Sequence, residues 1–374
     1  MRRGCAIGML IALACPAIAQ EAAAPAGDAC AAIETDADRL ACYDKAFGRG
    51  SNDARKADIA AKEARAIREN LELGDAIEGK QAPAPASDLY PQDDPLASAL
   101  ANAGKGSMLD GRWELAKDSK LGTFNFRAYK PVYLLPAFWA SDQNELPHSP
   151  NPRNTVASSQ SLTDVESKFQ LSFKTKALEN VFGDNGDVWM GYTQSSRWQV
   201  FNGDASRPFR ETNYEPEVML VFRTRYQVAG WSGRLLGIGV NHQSNGRADP
   251  LSRSWNRVVA SVGLDRGDWA LMLRPWWRVS DGSDDDNPDI SDYVGRADAT
   301  LVHRRGRQEF ALMARHSLRS GDASHGAVQF DWGFPISRAL RGHVQVFDGY
   351  GESLIDYNHR ATYVGFGVSL LEWY

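Results

Sequence analysis

The chain has 374 residues, of which 43% are hydrophobic and 10% aromatic, so it can bury an extensive apolar surface. Its formal net charge is −5 and it has no block of basic residues, which gives no basis for nucleic-acid binding. The runs of about 18 apolar residues that a helical membrane protein would contain do not occur.

The first residues have the layout of an export signal. Arg2 and Arg3 precede an apolar stretch, and the small-residue motif Ala17-Ile18-Ala19 follows it. We therefore expect residues 1–19 to be a secretory signal peptide. Cleavage before Cys15, which would give a lipoprotein, is the alternative.

Removal of the signal leaves two of the four cysteines, Cys30 and Cys42. Two thiols in a small exported segment are expected to form a disulfide, although two separate buried thiols remain possible. Residues 20–80 are rich in Ala, Glu, Lys and Arg, and 52–77 read as a polar helix with little apolar stripe. This N-terminal extension is predicted to be partly helical and periplasmic.

Residues 81–119 are predicted to be a linker because they begin with alternating Pro and Ala and contain Pro91. From residue 120 to the end the pattern changes to a period of two, which predicts twelve strands. The predicted strands are 123–139, 165–177, 187–201, 213–226, 231–244, 253–264, 268–280, 291–303, 308–316, 324–334, 338–348 and 360–374.

These strands alternate between an apolar face and a polar face. The polar faces are expected to carry Asp292, Arg296, Asp298, Gln329, Asp331, His343 and Gln345. An all-β, twelve-stranded antiparallel transmembrane β-barrel with a polar lumen has this pattern, and a soluble sandwich shares it. The export signal, the apolar final strand and the aromatic residues near strand ends favour the barrel. Those aromatic residues are Trp139, Trp189, Trp231, Trp276, Trp277 and Tyr293.

Connection lengths predict the orientation, since outer-membrane barrels have short periplasmic turns and longer outer loops. The segments 265–268 and 304–307 are tight turns, whereas the links at the other end are mostly longer. Strand 231–244 therefore runs outward, and its last residues are expected at the outer leaflet.

Three polar residues at that end continue the apolar face. His242 and Ser244 share the parity of Val240, and on the returning strand Asn256 shares the parity of Val258. A hairpin centred near Asp249 brings Asn256 opposite His242.

Histidine is the usual base for a serine nucleophile, and an amide can orient the imidazole, so these residues predict a Ser-His-Asn triad facing lipid. The nearby Gly246 could offer its backbone N–H to an oxyanion. The alternative is a set of ordinary interface residues without catalysis.

Four segments resemble the bacterial outer-membrane phospholipase A family, and the likeness extends from about residue 120 to the end. They are His242-Gln-Ser-Asn-Gly-Arg247 with Ser252-Arg-Ser-Trp-Asn-Arg257, Pro208-Phe-Arg-Glu-Thr-Asn-Tyr-Glu-Pro216, Asp286-Asn-Pro-Asp-Ile290, and Gly349-Tyr-Gly-Glu-Ser-Leu-Ile-Asp-Tyr357. The resemblance implies calcium-dependent hydrolysis of acyl esters at both glycerol positions of phospholipids, and of lysophospholipids.

Site roles follow from the same resemblance. It implies that Ser244 is the nucleophile, His242 the base, Asn256 its orienting partner, and Gly246 a contributor to the oxyanion hole. The implied calcium ligands are the Arg247 carbonyl and Ser252 of one subunit with Ser206 of its partner, and Asp286 in a site of the monomer. The resemblance also implies an active homodimer, with Gln194 at a lipid-facing interface where an amide needs a partner.

Two other functions remain open from the sequence. A catalytically silent barrel, acting as a pore or a scaffold, would keep the same strands. A lipid A deacylase is also an esterase that faces lipid.

Overall fold

The structure is a computed structural model that describes residues 28–46, 62, 106–337 and 340–374. The chain divides into two units, Met1–Ala84 and Pro85–Tyr374. The predicted signal peptide, all but Lys62 of the predicted polar helix and the first part of the predicted linker lie outside the described residues. Within the described part of the chain, no helix has the length and apolarity needed to cross a bilayer.

In the first unit, a 3₁₀ turn at Asp28–Ala32 precedes helix α1, Asp36–Ala46. Asp36 and Asp38 lie in the first turn of α1, where acidic side chains complement the helix dipole. A disulfide joins Cys30 to Cys42 and fastens the 3₁₀ turn to the helix. The predicted pairing of these cysteines is confirmed.

The second unit is a closed antiparallel barrel. Its strands are β1 Phe126–Ala128, β2 Val132–Ala140, β3 Val165–Leu178, β4 Asp187–Trp198, β5 Phe209–Val228, β6 Trp231–Ser244, β7 Ser254–Arg266, β8 Trp269–Val279, β9 Ala297–Arg305, β10 Gln308–His316, β11 Gly326–Pro335, β12 Arg341–Tyr350 and β13 Arg360–Leu371. Each strand from β2 to β13 pairs with its neighbours in sequence, and β13 pairs with β2 to close the ring. The predicted twelve-stranded antiparallel barrel is confirmed.

Two predicted strands have different bounds. The predicted first strand is two pieces, β1 and β2, which both pair with β3 and are separated at Tyr129–Pro131. The predicted strand 291–303 begins only at Ala297, because Ile290–Tyr293 forms the short helix α3 in the preceding loop. Asp292 therefore lies in this loop, where it pairs with Arg296 at 2.8 Å, and neither residue lines a strand face as predicted.

The linker prediction is wrong for its last part. Helix α2, Met108–Trp113, starts with a capping box in which Ser107 and Asp110 satisfy each other's backbone N–H groups. Leu109 and Trp113 are buried in a cluster with barrel residues such as Leu235. Chain that buries apolar side chains in this way is part of the folded unit.

The two ends of the barrel differ in their connections. At the end near α2 most links are short, as in the turns Ala229–Gly230, Gly267–Asp268 and Gly306–Arg307, although the link 179–186 is longer. At the other end lie the longer loops 141–164, 199–208, 245–253, 280–296, 317–325 and 351–359. This arrangement confirms the predicted alternation of short and long links and places the ends of β6 and β8 on the long-loop side.

Strand parity separates the two faces of the wall as predicted. Leu236, Ile238 and Val240 face outward and are exposed, whereas Asp331, His343 and Gln345 are buried in the lumen. The predicted aromatic positions divide between the faces: Trp139 and Trp277 are exposed, but Trp189 and Trp276 are buried inside. The prediction of an interfacial position is therefore wrong for these last two, because their parity is that of the lumen.

Candidate active site

The outer ends of β6 and β7 bring the three residues of the predicted triad to one side of the wall. In the strand register, His242 is opposite Asn256 and Ser244 is opposite Ser254. His242 Nδ1 lies 2.8 Å from Asn256 Oδ1. The same parity leaves Val240 58% exposed, so these side chains lie on the outer surface of the barrel.

The neighbouring residues of opposite parity point into the lumen and are held there by hydrogen bonds. Trp255 is fully buried, and its indole N–H donates to Gln243 Oε1 at 2.9 Å. Arg257 donates to Asn241 Oδ1 through Nε at 3.0 Å and to Glu215 at 3.2 Å, and its guanidinium lies 4.1 Å from the Trp255 ring centre. These contacts fix the hairpin backbone that carries the outward residues.

Asn245 holds the β6–β7 loop closed. Its backbone N–H donates to Arg253 O and its Oδ1 accepts from Arg253 N, both at 3.0 Å, while its Nδ2 donates to Leu251 O. The adjacent Gly246 has a φ of +61°, a backbone conformation that glycine adopts without strain. Its N–H makes no hydrogen bond to the described residues, which leaves it available to a ligand.

Two of the four predicted calcium ligands are in contact. Ser252 Oγ donates to Asp286 Oδ2 at 2.6 Å, and the backbone oxygen of Asp286 accepts from Ser149 Oγ at the same distance. Arg247 lies in the loop beside them and donates through Nη1 to the carbonyl of Arg210. Ser206 is exposed in the separate β4–β5 loop.

Sequence reasoning did not identify Asn154, which links two loops at this place. Its Nδ2 donates to Asp249 Oδ1 at 3.0 Å and to the Ser252 carbonyl at 3.2 Å. Its Oδ1 is buried and has no hydrogen-bond partner among the described residues. Oxygen atoms from a hydroxyl, a carboxylate and an amide thus gather at this loop junction.

Asp281 was also missed, although it contacts the triad directly. Asn256 Nδ2 donates to Asp281 Oδ1 at 2.8 Å. The residue follows β8 and keeps the parity of Val279, which is opposite Asn256 in the register. Extending the alternation of β8 by two residues would have placed Asp281 on the same face as Asn256.

Buried ion pairs fasten the 351–359 loop inside the outer mouth of the barrel. Glu352 accepts from Arg197 at 2.7 Å and from Lys168 at 2.6 Å. Burial alone would raise the pKa of Glu352, but the two cations outweigh it and lower the pKa to about 2. Leu354 and Tyr357 of this loop pack in a cluster with Trp255, behind the triad.

Gln194 lies on the outer face of β4, between Leu171 of β3 and Tyr214 of β5. Its Oε1 accepts from the Tyr192 hydroxyl at 3.1 Å. Within the part of the chain that the structure describes, its Nε2 has no acceptor. An amide donor is thus left on the outer face beside the exposed Leu171.

Comparisons with known proteins identify the family of the chain. Residues 109–370 match the family described as phospholipase A1. A relative from Neisseria meningitidis serogroup B is 36% identical over 350 residues, which cover 91% of this chain and 89% of the relative. The chain belongs to the phospholipase A1 family. Phospholipase A1 of Escherichia coli K12 is 42% identical over 205 residues, covering 55% of this chain and 69% of that protein.

Solved structures give the same answer for the fold. Outer membrane phospholipase A from Escherichia coli superposes with a TM-score of 0.60 at 35% identity, over 67% of this phospholipase and 95% of the other chain. The Salmonella typhi outer membrane phospholipase, a dimer with bound calcium, gives a TM-score of 0.60 at 37% identity over 67% and 94%. This chain is therefore an outer-membrane phospholipase, and phospholipids are its substrate class.

Proposed function

We propose that Ser244 is the nucleophile, His242 the general base and Asn256 the residue that orients the base. The bond between His242 Nδ1 and Asn256 Oδ1 is the observation that carries this assignment. A carboxamide oxygen only accepts hydrogen bonds, so Nδ1 must hold the proton of the neutral ring. Nε2 is then the basic nitrogen, free to take the Ser244 proton.

The reaction on this site has two halves. Ser244 Oγ attacks the ester carbonyl while its proton passes to His242 Nε2, and the Gly246 N–H donates to the oxygen that becomes negative. The intermediate collapses to an acyl-serine, and His242 returns the proton to the departing alcohol. Water then attacks the acyl-serine with His242 again as base, which releases the fatty acid and restores Ser244.

The position of the triad suits a substrate that lies in a membrane. Val240 and Val258 continue the outward face below His242 and Asn256 and offer apolar contact to acyl chains. The long loops beyond the strand ends belong to the outer side by the usual arrangement of such barrels, which puts the site at the outer leaflet. We expect cleavage at both glycerol positions and of lysophospholipids.

Ca²⁺ is the cofactor that the loop junction fits. Calcium prefers oxygen ligands, and here Ser252 Oγ and Asp286 Oδ2 are 2.6 Å apart. Asn154, whose Nδ2 donates to the Ser252 carbonyl, has a buried Oδ1 with no hydrogen-bond partner among the described residues. Three or more His, Cys, Asp or Glu side chains do not cluster as a metal site among the described residues, so carbonyls, hydroxyls and water would complete the shell. Ser252 and the Arg247 carbonyl, with Ser206 supplied by a second copy, would hold the ion of the dimer, and Asp286 would hold an ion in the monomer. When bound, it would supply positive charge near the developing oxyanion.

A homodimer accounts for the Gln194 amide. In the bilayer an unpaired N–H is costly, and a two-fold axis through this face would let Gln194 donate to Gln194 of a second copy. Leu171, which is exposed next to it, would be covered by the same contact.

The test is fatty-acid release by the full chain in mixed micelles of phosphatidylethanolamine and detergent. Ser244→Ala should lower kcat by a factor of about 10³ or more, because loss of the nucleophile removes the covalent path. Ser254→Ala, which removes the hydroxyl directly opposite in the register, is the matched control and should keep most of the activity. Chelation of calcium should abolish release and dissociate the dimer in sedimentation.

Two results would refute the assignment. Undiminished release by Ser244→Ala would rule out Ser244 as the nucleophile. An equal loss of activity in Ser244→Ala and Ser254→Ala would point to a structural effect. Lipopolysaccharide cleaved in preference to the phospholipid would favour the lipid A deacylase.

A further inference from the structure

Asp281 occupies the position behind the orienting amide. It follows β8 by two residues, and its carboxylate Oδ1 accepts from Asn256 Nδ2 at 2.8 Å. Asp281 precedes the 3₁₀ turn Gly282–Asp284, yet its side chain makes no capping bond to that turn. Its carboxylate is thus directed to Asn256 instead of to the local backbone.

The bond determines which way the Asn256 amide points. A carboxamide can turn by 180° and exchange its oxygen and nitrogen with little change in shape. In the turned state Nδ2 would face His242 Nδ1, and two N–H groups would oppose each other. A carboxylate only accepts, so it pairs with Nδ2 alone and keeps Oδ1 toward His242.

The charge of Asp281 acts in the same direction. His242 becomes positive when it takes the serine proton, and a carboxylate one amide away stabilises that charge. Arg278 is the nearby cation, with Nη2 4.0 Å from Asp281 Oδ2, but it forms its closer bonds with Asp285, at 2.6 Å to Oδ1. Arg278 therefore pairs more closely with Asp285 than with Asp281.

We propose that Asp281 is a positioning residue that holds the Asn256 carboxamide with its oxygen toward His242, extending the triad to a four-residue chain. The inference rests on the proposed triad. It assigns Asp281 no contact with the substrate.

A double-mutant cycle tests this role on the full chain in micelles. Asp281→Ala should lower kcat about tenfold with little change in KM, the size of effect usual for a residue that orients a functional side chain. In an Asn256→Ala background the same change should alter kcat by less than about twofold, because the amide to be held is gone. Asp281→Asn keeps an acceptor oxygen but loses the charge and can itself turn, so its kcat should lie between those of the wild type and Asp281→Ala.

Asp284→Ala is the matched control, since this carboxylate of the same loop binds Arg153 and not the triad. It should keep wild-type kcat. Folding of each variant is checked by the heat-dependent mobility of the barrel in gels. If Asp281→Ala folds poorly, the cycle is run with Asp281→Leu, which has a similar size and no acceptor, against the same Asn256→Ala background.

The outcomes separate the two proposals. Wild-type kcat in Asp281→Ala and Asp281→Leu, or effects of Asp281 and Asn256 that simply multiply, would overturn the positioning role while leaving an inactive Ser244→Ala to support the triad. Activity retained by Ser244→Ala would instead overturn the proposed function itself.

Discussion

The two faces of the β6–β7 hairpin hold polar side chains in different ways. On the inner face, Gln243 Oε1 accepts from the buried Trp255, and Arg257 donates to Asn241 beside the same ring. On the outer face, His242 and Asn256 are joined to each other by one bond and remain partly open. The inner network fixes the backbone, and the outer side chains keep the donors and acceptors that chemistry requires.

At the outer mouth of the barrel, stability depends on the buried ion pairs of Glu352. Glu352→Gln keeps the shape of the side chain but leaves Lys168 and Arg197 without their anion. We expect it to lower the free energy of unfolding at pH 7 by about 3–5 kcal/mol. The loss should shrink in acid: the pKa of Glu352 is lowered to about 2, so its contribution is complete above the ordinary value of 4.5 and disappears as the pH falls toward 2.

Urea unfolding in detergent, followed by tryptophan fluorescence from pH 8 to pH 2, measures this difference. The wild type and the variant should converge at the acid end. Asp348→Asn is the control, because its partner Arg360 lies on the exposed outer face and such pairs contribute little. A constant gap between wild type and Glu352→Gln across the pH range would show that the ion pairs are not its cause.

A smaller effect on activity is expected from substitution of Gln243, the residue between the proposed base and nucleophile. Gln243 points inward and its Oε1 accepts from Trp255, so Gln243→Glu can keep this bond beside Arg257. We expect kcat to change by less than about threefold, or roughly 0.6 kcal/mol. A large loss of activity, or a large shift in the calcium concentration required, would mean that the wall does not separate the two faces.

Much of this arrangement could be predicted because strands repeat every two residues. The parity of Val240, His242 and Asn256 is visible in the sequence, and the structure places all three on the outer face. Two Cys residues in an exported segment were likewise enough to predict the disulfide.

Other features depend on partners far apart in the chain. Arg210 binds Glu166 and Asp356, which are 44 and 146 residues away, and no local pattern specifies such pairs. The loop position of Asp292 was missed because the polar residues of a short helix resemble an alternating strand. Helix α2 did carry a local signal, the Ser107–Asp110 capping box, but the Pro and Ala residues before it suggested a linker.

Covalent labelling of the active phospholipase tests the outward-facing triad most directly. A long-chain alkylsulfonyl fluoride, which partitions into micelles and reacts with activated serines, is incubated with the full chain, and the modified residue is mapped by mass spectrometry. We expect Ser244 to be modified and Ser254 to remain unmodified. In His242→Ala, the modification of Ser244 should be lost. Labelling at another serine, or equal labelling of Ser244 without His242, would contradict it.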